Sequence, residues 1–229
     1  MAVWEIVDQS RQDDDEEQGV QVKKASPYHR RRRVLSEIAL EAQLPWHFEQ
    51  GVSYHCLSWG DVDALTYLRV IAKQQRLEYV ALSTWVMAQT DIREIFDWVD
   101  RGVIGRVDMY LGEIFPTSYE YEYAILLDEC TRHGSRLVVF RNHSKLMVIF
   151  GERFDVLIES SANINTNPRM ENTVITTDPD LALWYKQQLD TIKPFNTDYA
   201  QPPVYERRRD HHGAPEDACG SEQEAPYQG

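Results

Sequence analysis

Arg141-Asn142-His143-Ser144-Lys145-Leu146-Met147-Val148-Ile149-Phe150 is the stretch on which the fold turns. Its second half is an apolar run and its first half is polar. Residues i and i+2 share one face of a strand. The segment therefore predicts a buried strand over 145–150 that presents an imidazole, His143, and an ammonium, Lys145, in one direction at its start. Downstream, a strand over 156–160 runs into Ser161-Ala162-Asn163-Ile164-Asn165. If the strand continues, Ser161, Asn163 and Asn165 lie on one side. Arg169 and Glu171 repeat the alternation before a strand over 173–176.

Upstream, strands alternate with helices. Residues 52–57 read as a strand. Asp61 reads as the N-cap of a helix over 62–75 with Val62, Leu65, Leu68, Ile71 and Ala72 on one face. The apolar run 77–87 reads as a buried strand that contains Trp85. Asp91 reads as the cap of a second helix bearing Ile92, Ile95, Phe96 and Val99. A short strand over 107–111 follows. A third helix starts at Thr117 or Ser118, runs through Cys130 and stops near Gly134. Residues 136–140 form a further strand, and Asp178-Pro179 opens a last helix over 181–192. Helices alternating with strands, then consecutive strands, predict an α/β fold: a mixed β-sheet flanked by helices. No internal repeat of this block is present.

The chain has 229 residues, 42% hydrophobic and 27% charged, a composition that excludes a wholly disordered protein. Three parts are expected: an N-terminal tail and short helix over 1–50, one domain over 51–195, and a disordered tail over 196–229. The first part holds the acidic run 13–17 and the basic run Arg30, Arg31, Arg32 and Arg33. That run reads as a solvated helix start or as a phosphate-contacting arm. A net charge of −13 argues against extended, sequence-independent coating of duplex DNA. It leaves room for a small basic site. No apolar run approaches the ~20 residues of a membrane span, and the N-terminus is unlike a signal peptide. Cys56, Cys130 and Cys219 are odd in number and far apart, which points to a reducing cytoplasm rather than a disulfide framework. No metal site is expected, since His211, His212 and Cys219 lack further ligands. The tryptophans form no clear lipid-facing patch.

Histidine next to lysine, with Ser, Asn and Glu on the following strands, suits phosphoryl transfer. An uncharged imidazole nitrogen can attack phosphorus, and lysine and amide donors can stabilise charge on the non-bridging oxygens. A second acid must protonate the leaving oxygen. These residues also fit an ordinary polar sheet face.

The set resembles the phospholipase D superfamily, whose signature is His-x-Lys, four residues, Asp, and later Gly/Ser-Ser-x-Asn. His143-x-Lys145 matches its start, Ser160-Ser161-Ala162-Asn163 looks like its second segment, and Glu171-Asn172 resembles the Glu-Asn that often follows. The likeness covers about residues 51–195 and implies an α/β/α sandwich. One departure stands out, because Phe150 occupies the Asp position. The family uses two motifs per site and this chain has one, so the resemblance implies a homodimer with a shared site. It further implies His143 as nucleophile and, from the second copy, as acid. Lys145 and Asn163 would hold the phosphoryl oxygens, Ser161 would assist and Glu171 would orient the imidazole. No cofactor is implied.

The leading expectation is therefore a metal-independent phosphodiesterase, a homodimeric nuclease working through a phosphohistidine. Arg141, Asn165, Arg169 and Arg30 to Arg33 are the candidate nucleic-acid contacts. Two alternatives stay open. One is a phospholipase or phosphatidyl transferase. The other is an inactive binding or scaffold module of a mobile-element or anti-phage system, with protein partners met through the tails.

Overall fold

A computed structural model describes residues 28–59, 62–164 and 169–207, with the backbone alone for 28–34. Its elements run α1 (Tyr28–Glu41), β1 (Ser53–Ser58), α2 (Ala64–Gln74), β2 (Leu77–Thr84), α3 (Gln89–Asp100) and β3 (Val107–Gly112). Then come α4 (Phe115–Ser118), α5 (Glu120–His133), β4 (Leu137–Phe140), β5 (Leu146–Gly151), β6 (Val156–Ser160), β7 (Glu171–Thr176) and α6 (Pro179–Asp190). The seven strands form one sheet in the order β1-β7-β6-β5-β2-β3-β4. β2, β3 and β4 are parallel, and β5, β6, β7 and β1 are joined antiparallel. The expected α/β fold, a mixed sheet flanked by helices, is what forms.

Strand side chains alternate between two buried faces. Val80, Leu82, Met109, Val139, Met147, Ile149 and Ile158 join the larger core with Leu65, Leu68 and Ile71 of α2, Ile92, Ile95 and Phe96 of α3, and Leu126 and Cys130 of α5. Their neighbours Tyr79, Ala81, Tyr110, Val138, Val148, Phe150 and Leu157 face the other way and pack with Ala182 and Leu189 of α6. This two-sided burial explains why the strands read as apolar runs.

Several element ends differ from expectation. Asp61 lies outside the described residues. The N-cap of α2 is Asp63, whose carboxylate accepts from Thr66 N at 2.8 Å. Asp91 sits inside α3, not ahead of it, and its carboxylate reaches back to Ala88 N at 3.0 Å. The turn α4 intervenes before α5, and α5 ends at Gly134, whose φ of 64° needs glycine's left-handed freedom.

Residues 196–207, expected as part of a disordered tail, are ordered. They lie against the sheet as a strap. Along the edge strand β4, Asn196 Oδ1 accepts from Val139 N at 2.9 Å, its Nδ2 donates to Leu137 O at 2.8 Å, and Gln201 Oε1 accepts from Leu137 N at 3.2 Å. Side-chain amides thus do what a neighbouring strand's backbone would, and they blunt the edge. Further along, Tyr205 stacks on Tyr79 at 4.3 Å, and Arg207 forms an ion pair with the buried Asp155. Beneath the strap, Lys186 donates to Asp190 at 2.5 Å and to Tyr205 O at 3.0 Å. Asp108 accepts from Tyr79 Oη at 3.0 Å and Arg106 Nε at 2.9 Å. Buried charges on this face are therefore paired, as burial requires. The rest of the two tails, with His211, His212 and Cys219, lies outside the described residues.

Candidate active site

The carboxyl ends of β2, β3 and β6 meet the amino ends of β5 and β7 at one end of the sheet. The approach to β5 is fixed by Asn142, which is buried. Its Nδ2 donates to Ser83 Oγ at 2.9 Å and to Tyr110 O at 3.2 Å, and its Oδ1 accepts from Ser144 N at 2.9 Å and Ser144 Oγ at 2.7 Å. Ser83 and Ser144 also share a hydroxyl contact of 2.8 Å. One amide side chain so ties the loop 141–145 to β2 and β3, and His143 projects from it into solvent.

β5 begins at Leu146, so His143 and Lys145 stand on the loop ahead of it and not on the expected strand. The Lys145 ammonium donates to the His143 carbonyl at 2.8 Å and stands 3.4 Å from His143 Nδ1. An ammonium can only donate, so this arrangement places the proton of a neutral imidazole on Nε2. Partial burial pushes the Lys145 pKa down, and the Glu171 carboxylate acts in the opposite direction.

Ser161 and Glu171 face each other across β6 and β7. Ser161 Oγ donates to Glu171 Oε2 and accepts from Asn172 N at 3.0 Å. Glu171 makes no hydrogen bond to His143 among the described residues. Its carboxylate is taken by Ser161, and its effect reaches the site through the charge of Lys145. The strand β6 ends at Ser160, so residues 161–164 are a bend and not a continued strand. Asn163 nevertheless points to the same end of the sheet. Its Oδ1 lies 3.5 Å from Thr84 Oγ1, and its carbonyl accepts from Ala64 N, the first residue of α2, at 3.4 Å. Arg141 and Arg169 are exposed at the rim. Asn165 and the side chains of Arg30, Arg31, Arg32 and Arg33 lie outside the described residues.

Phe150, at the place of the motif Asp, is buried on the far face of β5 and stacks on Tyr79 at 5.7 Å, with the Arg207 guanidinium 5.1 Å from its ring. That position is filled by aromatic packing and has no path to the imidazole end of the strand.

Two site residues escape the sequence reading. Asn142 is given no role there. Trp85, expected inside a strand, follows the end of β2 at Thr84 and turns its indole toward His143, with ring centroids 5.3 Å apart. The run of apolar residues before it hides the change of direction. Among the described residues, no group of three or more His, Cys, Asp or Glu side chains could hold a metal ion, and no helix is long and apolar enough to cross a membrane.

No protein-family model and no curated protein sequence matches the chain. Among solved structures it is similar to a polyphosphate kinase from Porphyromonas gingivalis, at 14% identity and a TM-score of 0.48 over 65% of this chain and 27% of that one. It is also similar to the archaeal chromatin protein TrmBL2, at 11% identity and a TM-score of 0.44 over 70% of this chain and 58% of that one. A third is phosphatidylserine synthase from Haemophilus influenzae, at 14% identity and a TM-score of 0.45 over 60% of this chain and 37% of that one. The chain spans less than two thirds of each of these proteins.

Proposed function

We propose that the chain is a metal-independent phosphodiesterase of the phospholipase D type, acting on nucleic acid as a homodimer. The observation that carries this reading is the meeting of His143 and Lys145 at the free end of β5, 3.4 Å apart, with Ser161, Asn163 and Glu171 at the same end of the sheet. An imidazole beside a fixed cation is a nucleophile with a charge stabiliser next to it.

The chemistry follows from these groups. The non-bridging oxygens of a bound phosphodiester draw the Lys145 ammonium off Nδ1. Nδ1 then takes the ring proton, and Nε2 is left with its lone pair. Nε2 attacks phosphorus, and the bond from phosphorus to the leaving oxygen breaks. That oxygen takes its proton from His143 of a second copy, which enters this step as the imidazolium and is left neutral. Water then attacks the phosphohistidine and gives its proton to the second imidazole. The phosphorus–nitrogen bond breaks, the second histidine is again the imidazolium, and the first is released with its proton on Nδ1, ready for another attack by Nε2. Lysines supply the positive charge that a metal otherwise brings. Asn163 donates to a phosphoryl oxygen, while Ser161 and Glu171 hold each other and keep Lys145 charged.

Two imidazoles are needed and the chain has one motif. The rim beside Glu171 suits a second copy, since Leu57, Trp59 and Met170 are 73%, 75% and 59% exposed there. In register, Leu57 and Ser58 pair with Asn172 and Glu171. Large apolar side chains left exposed beside one another are what an interface between copies covers. Arg141 and Arg169 are the described basic residues able to meet flanking phosphates.

The test combines size and cleavage. Sedimentation at micromolar concentration should give twice the chain mass, and single- or double-stranded DNA or RNA should be cut in the presence of a chelator. A strict monomer, or cleavage that vanishes with chelator and returns with Mg²⁺, overturns the reading.

A further inference from the structure

We infer that Trp85 is the positioning residue of His143. This rests on the proposed role of His143 and extends it. Before attack Lys145 must leave Nδ1 for the phosphoryl oxygens. Glu171 is engaged with Ser161 and does not reach the ring. Among the described residues, the side-chain interactions of the imidazole are the Lys145 ammonium and the Trp85 indole. Once the lysine turns to substrate, the indole is what remains to hold the ring.

The indole is itself held. It lies over Gly112, the last residue of β3, so closely that a Cβ there would stand 2.5 Å from Trp85 Cδ1 and 3.2 Å from its Nε1. The same Cβ would stand 3.1 Å from the carbonyl of Asn142, the residue before His143. Glycine at 112 thus gives the indole a floor, and that floor lies beside the loop that carries His143. Trp85 joins directly to β2, whose last residues anchor Asn142. A rigid, wide side chain on a rigid strand end, tilted 55° to the imidazole, limits the ring's rotation by contact. Orientation of a reacting group by packing is a recognised source of rate, and a misplacement of about 1 Å costs on the order of 10²-fold.

The experiment uses the full-length protein with ¹³C-labelled histidine, and Trp85→Leu, Trp85→Phe and Gly112→Ala variants whose melting temperatures are recorded first. Imidazole ¹³C relaxation of His143 reports ring order without any need for turnover, and steady-state kinetics on an oligonucleotide report kcat and KM. The proposal expects lower His143 ring order in Trp85→Leu, with kcat about 10²-fold down and KM within about threefold. Trp85→Phe, which keeps an aromatic face, should recover most of both. Gly112→Ala, which pushes the indole away, should behave like Trp85→Leu even with Trp85 present. Unchanged ring order in folded Trp85→Leu and Gly112→Ala overturns the proposal, as does lowered order with unchanged kcat. If the native protein cleaves no phosphodiester, the proposed function fails while the relaxation data still decide whether Trp85 holds the ring.

Discussion

Asn142→Ala should be the most damaging single substitution of a polar residue near the site. The wild-type amide makes four hydrogen bonds between 2.7 and 3.2 Å, two donated and two accepted, and it is buried. Each is worth about 1 kcal/mol net. The two to Ser144 count for less, because Ser144 is exposed and water can replace its partner. Ser83 Oγ keeps its contact with Ser144 Oγ, whereas Tyr110 O loses a buried donor, at about 1–3 kcal/mol. A loss of about 3 kcal/mol follows, a large share of the ~5–15 kcal/mol that holds a domain together. In urea titrations this should lower the midpoint by about 1 M or more. Asn142→Asp keeps the acceptor for Ser144 but turns an oxygen toward the Tyr110 carbonyl, so it should be no better. Ser144→Ala, at the exposed side of the same network, should cost under about 1 kcal/mol. If Asn142→Ala and Asn142→Asp both fall within about 0.5 kcal/mol of wild type, the loop 141–145 is not held by this amide. The account of how His143 is placed then fails with it.

Other outcomes follow from the same geometry. Deleting residues 196–229 uncovers the β4 edge, so the truncated chain should melt lower and form species larger than the full-length protein does on size exclusion; an unchanged size and melting temperature would show that the strap is dispensable. Burial raises the Asp155 pKa while Arg207 lowers it. The raised folded pKa means that stability falls as pH rises from the unfolded to the folded value and is level above it. Removing the cation in Arg207→Gln enlarges that fall, so the variant should lose more stability at pH 8 than at pH 4, read by urea midpoints. For Lys145, whose pKa burial lowers, activity that needs the ammonium should decline at alkaline pH before the ordinary lysine range. Glu171→Gln, by removing the charge that opposes this, should move the alkaline limb of the kcat/KM profile lower still. With few basic contacts at the rim, log affinity for an oligonucleotide should fall shallowly with log salt, as if about two to four phosphates were neutralised.

Much of the architecture is legible in the sequence because both sheet faces are buried. Continuous apolar runs such as Val80-Ala81-Leu82 and Met147-Val148-Ile149 announce central strands, and the i, i+3, i+4 spacing of Leu68, Ile71 and Ala72 announces α2. The nearness of His143 and Lys145 is legible only in their spacing, since both stand on the loop that Asn142 holds and not on β5. What stays hidden depends on side chains that replace backbone. Asn196 and Gln201 satisfy an edge strand with amides, and such polar residues are indistinguishable in sequence from a solvated tail. Trp85 continues an apolar run, so nothing in the pattern marks where β2 ends and the indole turns to the imidazole. The Glu171 carboxylate is captured by Ser161 across two strands whose register no local pattern specifies.

In the proposed mechanism His143 forms a covalent bond to phosphorus. The most direct measurement is a rapid quench into alkali, where phosphohistidine survives, during cleavage of a phosphorus-labelled oligonucleotide in chelator, followed by peptide mapping. Label is expected on the peptide that carries His143 and not on the His143→Ala protein, whose turnover should fall to background. Full cleavage by folded His143→Ala protein, or label on any other residue, would contradict that mechanism.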